Sequence, residues 1–153
     1  MKLHLFQSKE QIEDRVEIYY KEMTPVIQKV IDVIHDDYPV LKSKEDDETR
    51  YINIDRILYL DCVDKKVFAY TREDVYPLEE TLSHYEVLLS DYGFTRISKS
   101  NIVNVYQIKA MKSEINMRIC ATFENKEKIY INRSYKKNFM DYLVNMRGCT
   151  NEK

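Results

Sequence analysis

FTRISKSNIVN (residues 94–104) and YINRSYKKNF (residues 130–139) are the stretches on which the reading of this chain turns. In the first, Phe94, Arg96, Ser98 and Ser100 alternate with Thr95, Ile97 and Lys99 before Ile102 and Val103 return to apolar character. That pattern predicts a strand, a polar loop and a second strand. In the second, Tyr130 to Arg133 predicts a strand running into a short helix that carries Lys136 and Lys137. Both strands lead into loops rich in cations, hydroxyls and amides, groups that neutralise phosphates and hydrogen-bond groove edges. No enzyme chemistry requires this arrangement. For each loop taken alone, the plain alternative is an ordinary hairpin tip with solubilising lysines.

Working outward, the chain is β-rich from Tyr51 on, with strands expected at 51–54, 57–63, 66–71, 73–77, 94–98, 102–104, 106–112, 116–123 and 128–132. One helix interrupts them: Thr81 is its N-cap, Leu82, Tyr85, Leu88 and Leu89 recur at helical spacing, and Asp91-Tyr92-Gly93 ends it. A last helix is expected from Ser134, as N-cap, to Met146. Its first turn would hold Tyr135, Lys136 and Lys137, where free N–H groups favour a phosphate. Upstream, Met1 to Gln7 and Val16 to Tyr20 are short strand candidates. A helix then starts with Thr24 as N-cap and Pro25 at its first position, and shows a broad apolar face from Val26 to Ile34. The acidic run Lys44 to Arg50 looks like a hairpin tip or linker. The expected organisation is a two-strand-plus-helix extension over residues 1–46, a main domain over 47–148 and a polar tail at 149–153. The fold class is mostly β with short helices, α+β.

A chain of 153 residues with 44% hydrophobic and 12% aromatic residues suits one compact domain with a small extension, not disorder. The net charge of −2 hides a strong asymmetry. Residues 1–91 hold 12 Lys and Arg against 21 Asp and Glu, a charge of −9, whereas residues 92–153 hold 12 against 5, a charge of +7. A basic half offers a surface to phosphates; an acidic half would be repelled from a duplex and suits a protein contact. Cys62, Cys120 and Cys149 lack metal or disulfide spacing and read as free thiols. With no signal peptide and no long apolar run, a cytoplasmic protein is expected.

Only Gly93 and Gly148 exist, so neither a P-loop nor a dinucleotide fingerprint can be written. His4, His35 and His84 fall in separate elements, and the paired acids Asp36-Asp37, Asp46-Asp47 and Glu79-Glu80 lack the apolar surroundings that would make them acid–base catalysts. No catalytic residue, metal, cofactor or small-molecule substrate is expected.

The two opening stretches resemble the signature segments of the LytTR domain, a mostly β DNA-binding module of bacterial transcription regulators. Phe94, Arg96, Ser100, Val103 and Asn104 match the first segment, and Ile131, Arg133, Tyr135 and Lys137 match the second. Asp55 to Asp61 followed by Val67 to Thr71 resembles the strand-loop-strand that opens such domains. The chain departs from many members at Ser98, where they carry histidine. The resemblance implies small antiparallel sheets whose inter-strand loops, rather than a recognition helix, enter the major groove of duplex DNA at tandem promoter repeats. It implies DNA contacts by Lys65, Lys66, Arg96, Ser98, Lys99, Ser100, Asn101, Arg133, Ser134, Tyr135, Lys136 and Lys137. Arg133 matches a groove-inserting arginine suited to guanine, and Lys99 a position that reads a base or an adjacent phosphate. Arg96 is open between a phosphate contact and a structural ion pair.

About 45 residues precede the matched region, too few for the receiver domain of a full response regulator. The closer resemblance is to small stand-alone LytTR regulators of Firmicutes, which are commonly held inactive by a small integral-membrane protein. That leaves room for such an inhibitor docked on the acidic extension, and for a homodimer on DNA. Two other readings are a module that binds only protein and a single-stranded DNA or RNA binder that stacks bases on Tyr106 and Tyr130.

Overall fold

Residues 59–70 and 94–104 supply four adjacent strands of a seven-stranded antiparallel sheet, the first of those 94–104 strands lying at its edge. The computed structural model describes residues 2, 4, 16–34 and 39–148. The chain divides into two compact units, Met1–Asp37 and Tyr38–Lys153.

In the first unit the described structure is one helix, α1 (Pro25–Ile34). Its start is as expected: the Thr24 hydroxyl accepts from the Ile27 N–H at 3.2 Å, and Pro25 occupies the first position, where no N–H is needed. Val26, Val30, Val33 and Ile34 are exposed while Ile27 is buried. Val16 to Tyr20 form no strand. Most of the strand candidate at 1–7 and the tail at 149–153 lie outside the described residues.

The second unit begins with β1 (Val40–Glu45) and β2 (Glu48–Asn53), a hairpin turned at Asp46 with φ 52°. The expected hairpin tip is there, but β1, which the sequence reading places in the extension, is part of the sheet. Leu41 faces the core and Ser43 pairs with Leu78. The sheet continues with β3 (Tyr59–Val63), β4 (Lys66–Tyr70), β5 (Val75–Leu78), β6 (Phe94–Arg96) and β7 (Asn101–Asn104), in the order β2-β1-β5-β4-β3-β7-β6. A second antiparallel sheet, order β10-β9-β8, consists of β8 (Ile108–Ser113), β9 (Ile119–Phe123) and β10 (Lys128–Ile131).

Two apolar clusters result. Helix α2 (Leu82–Leu88), capped by the Thr81 hydroxyl on the His84 N–H, covers one face of the large sheet with Leu82, Tyr85 and Leu89 against Leu60, Ala69, Phe94 and Ile102. Leu88 remains largely exposed. On the other face, Leu58, Ile97 and Val103 meet the small sheet through Ala121, Phe123 and Ile131, together with Phe139 of α3 (Lys136–Gly148). Strand β7 is thus buried on both faces, which is why Ile102 and Val103 are consecutive and apolar. Side chains also join the two sheets. Tyr59 stacks between Tyr70 (centroids 4.5 Å apart) and Phe123 (5.9 Å) and donates to Glu127 at 2.6 Å, while Arg72 pairs with Glu124.

Candidate nucleic-acid interface

Strand register brings three loops to one end of the second unit. Strand β3 lies beside β7, Asp61 opposite Asn101, so the β3–β4 turn and the β6–β7 loop emerge together. The Cys62 N–H donates to the Ser100 carbonyl at 2.8 Å, and Asn101 Nδ2 donates to Asp61 Oδ1 at 2.9 Å. The third loop joins them where the Asn132 N–H donates to the Ile97 carbonyl at 2.9 Å, which sets Arg133 next to the β6–β7 loop.

Each loop has a local cause. Asp64 and Lys65 both have positive φ (48° and 67°), the backbone of a tight two-residue hairpin turn, and so present Lys65 and Lys66 at its tip. The β6–β7 loop is closed by the Ile97 N–H to the Asn101 carbonyl at 3.0 Å. Its small polar side chains bond one another: Ser98 Oγ donates to Asn101 Oδ1 at 2.9 Å and accepts from the Ser100 N–H at 3.2 Å, and Ser100 Oγ donates to Asn101 Oδ1 at 3.3 Å. In the third loop a 3₁₀ turn, Arg133–Tyr135, precedes α3. Its cap is Asn132, whose Oδ1 accepts from the Arg133 N–H at 2.9 Å, not Ser134 as expected. An asparagine caps as well as a serine, and the 3₁₀ turn places the capped start upstream at Arg133 while the α-helix itself begins at Lys136.

The twelve expected contact residues therefore separate by environment. Lys65, Lys66, Lys99, Arg133, Ser134 and Lys137 are exposed, and Lys136 is half-buried. Among the described residues none of these cations is in an ion pair, in contrast to Arg50, Arg72 and Arg96. Ser98, Ser100 and Asn101 bond within the loop, and Tyr135 packs on the second cluster. The guanidinium of Arg96 pairs with Glu86 at 2.8 Å and bonds loop carbonyls. Glu86 and Asp61 hold this end together and were not singled out by the sequence reading, since acids ten and forty residues from their partners leave no local pattern.

The terminal residue of the first signature is structural too. Asn104, 2% exposed, donates to the Ile57 carbonyl at 2.9 Å and accepts from the Tyr106 N–H at 3.2 Å. The two tyrosines considered for base stacking are both exposed. Tyr106 lies past the opposite end of β7, against Gly93, and the Tyr130 ring is covered by the Arg118 guanidinium at 4.8 Å.

The LytTr DNA-binding domain family matches residues 47–144. The chain belongs to the LytTR family. A solved LytTr DNA-binding domain, from a Bacillus cereus protein described as a methyl-accepting/DNA response regulator, superposes with a TM-score of 0.64 at 28% identity, covering 68% of this chain and 95% of that one. Uncharacterised HTH-type transcriptional regulators of Staphylococcus aureus strains MSSA476 and MW2 are each 30% identical over 145 residues, 94% of this chain and 98% of theirs. The LytTR architecture seen here is not a helix-turn-helix: among the described residues, strands separate every pair of α-helices. No described helix is long and apolar enough to cross a membrane.

Proposed function

We propose that this LytTR protein is a transcription regulator that reads duplex DNA by seating its three loops in the major groove, with two copies on tandem repeats. The observation that carries the reading is the set of cations without ion pairs on three loops that backbone hydrogen bonds hold at one end of the second unit. The similarity to regulators from Staphylococcus supports the regulatory role. Arg133, exposed and next to the β6–β7 loop, is suited to bidentate bonds with guanine O6 and N7, and Lys99 to a base or phosphate beside it. Lys65, Lys66, Lys136 and Lys137 are suited to phosphates, with Ser134 as a further donor. The first unit, with its exposed apolar helix, has the regulatory role, and a membrane-bound inhibitor is the partner it would serve.

Selecting bound duplexes from a random pool tests this directly: a shared site with two copies of one motif is expected. Arg133→Ala should then weaken binding to that site by about 1 to 3 kcal/mol and leave random duplex nearly unaffected. Equal losses on both would make Arg133 a phosphate contact. Failure to enrich any duplex would overturn sequence-specific reading.

A further inference from the structure

We infer that Arg96 and Glu86 form a clamp that sets the shape of the β6–β7 loop, so that Arg96 serves DNA recognition as a positioning residue and not as a phosphate contact. The inference rests on the DNA-reading function proposed above. Arg96 closes β6, and its planar fork turns back on the loop that follows. Nε donates to the Ser98 carbonyl at 3.0 Å, Nη2 donates to the Lys99 carbonyl, and Nη1 donates to Glu86 Oε2 at 2.8 Å. Two successive loop carbonyls are thereby fixed by one rigid group, and that group is fixed by a carboxylate on α2. The helix is itself anchored in the core through Leu82, Tyr85 and Leu89.

The consequence reaches both reading loops. The carbonyl just before the clamped pair, that of Ile97, accepts from the Asn132 N–H, so the path of the clamped loop also sets where Arg133 begins. Lys99, whose side chain is exposed, projects from a segment with its carbonyl bound to Arg96 and its neighbours bound to one another. The Arg96 side chain is only 21% exposed, and its partner carboxylate cancels its charge. A phosphate at that guanidinium would displace Glu86 or meet its repulsion. Lysine cannot replace it, because an ammonium lacks the fork that reaches two carbonyls and a carboxylate together.

The two roles give opposite signs for one substitution. With the full chain, the selected duplex and a random duplex, binding is measured across salt from about 50 to 200 mM for wild type, Glu86→Gln, Arg96→Lys and Arg96→Ala. The clamp predicts that Glu86→Gln weakens specific binding several-fold and Arg96→Lys roughly tenfold, with the log–log salt slope unchanged in all three variants. Tighter binding by Glu86→Gln, wild-type binding by Arg96→Lys, or a slope reduced by about 0.9 in Arg96→Ala would overturn it. Amide exchange in the free protein judges the clamp without DNA. Faster exchange at Ile97, Ser100 and Cys62 in Glu86→Gln and Arg96→Lys supports it, and unchanged exchange overturns it. A wild-type chain that does not distinguish the two duplexes would sink the DNA-reading function, with the clamp still decided by exchange.

Discussion

Cutting the chain at two nearby points should give two different molecules. A chain starting at Tyr38 keeps the whole second unit; one starting at Asp47 keeps everything the LytTR family match covers but loses β1. Strand β1 is an interior strand, paired with β2 over six residues and with β5 at Ser43. Its removal takes away Leu41, 2% exposed, worth about 1.5 to 3 kcal/mol of apolar burial. It also strips β2 of its one neighbour among the described strands, so Ile52, 5% exposed, loses its place and a similar amount goes with it. The loss of about 3 to 6 kcal/mol is a large share of the 5 to 15 kcal/mol that holds a typical domain folded. Urea unfolding followed by circular dichroism should show a cooperative transition near the full-length midpoint for the chain from Tyr38, and a strongly lowered or absent one for the chain from Asp47. Residues 1–37 carry five Lys and Arg against eight Asp and Glu, a charge of −3, so the chain from Tyr38 should bind duplex DNA as tightly as the full protein or slightly more tightly. Equal stability of the two chains would show that β1 contributes nothing. Loss of folding on cutting at Tyr38 would make the first unit structural rather than regulatory.

Replacing Lys136 and Lys137 together by Ala should weaken binding to every duplex and flatten the log–log salt slope by at most about two, and an unchanged slope would place both away from phosphates. Gly93→Ala puts a Cβ within 2.4 Å of the Tyr106 ring at a φ of 92°, so a loss of about 1 to 3 kcal/mol is expected in urea unfolding; a neutral result would mean that Tyr106 swings clear and the strain relaxes. Burial, and for Tyr59 the bond to Glu127, holds the hydroxyls of Tyr59, Tyr70 and Tyr85 protonated above their ordinary value of 10. The folded state then binds these protons more tightly than the unfolded chain, so this stabilisation is complete below pH 10 and is lost as pH rises beyond it. A urea midpoint that stays flat above pH 10, or a decline untouched by Tyr59→Phe, would refute that account.

Much of the fold was legible because period-two and helical patterns coincide with burial. Leu58, Leu60, Val67, Ala69, Ile102 and Val103 all face a core, and Thr81 caps α2 as its position suggests. Strand β1 was not legible as part of the sheet because its second inward residue is Ser43, which leaves Leu41 as the only apolar residue on that face. Val16 to Tyr20 has strand-like composition, yet composition cannot show whether an edge is available to pair with it. At the interface the difficulty is direction. A hydroxyl at Ser98 reads the same whether it meets DNA or Asn101, and only coordinates show the second.

That distinction changes what the family match itself conveys. In the first signature Phe94, Val103 and Asn104 are buried, Arg96 and Ser100 are bound to neighbouring residues, and the exposed group is Lys99. In the second, Ile131 and Tyr135 serve the core, whereas Arg133 and Lys137 are exposed. In this chain the first signature thus mainly builds a loop of fixed shape from which Lys99 projects, and the second places Arg133 beside it and Lys137 on the helix that follows. On the function proposed above, exchanging the residue at 99 would change the preferred duplex while the Arg96–Glu86 pair beneath it stays the same. Lys99→Asn should therefore shift the selected duplex without lowering stability, and a variant that keeps the original preference would show that residue 99 does not read the sequence.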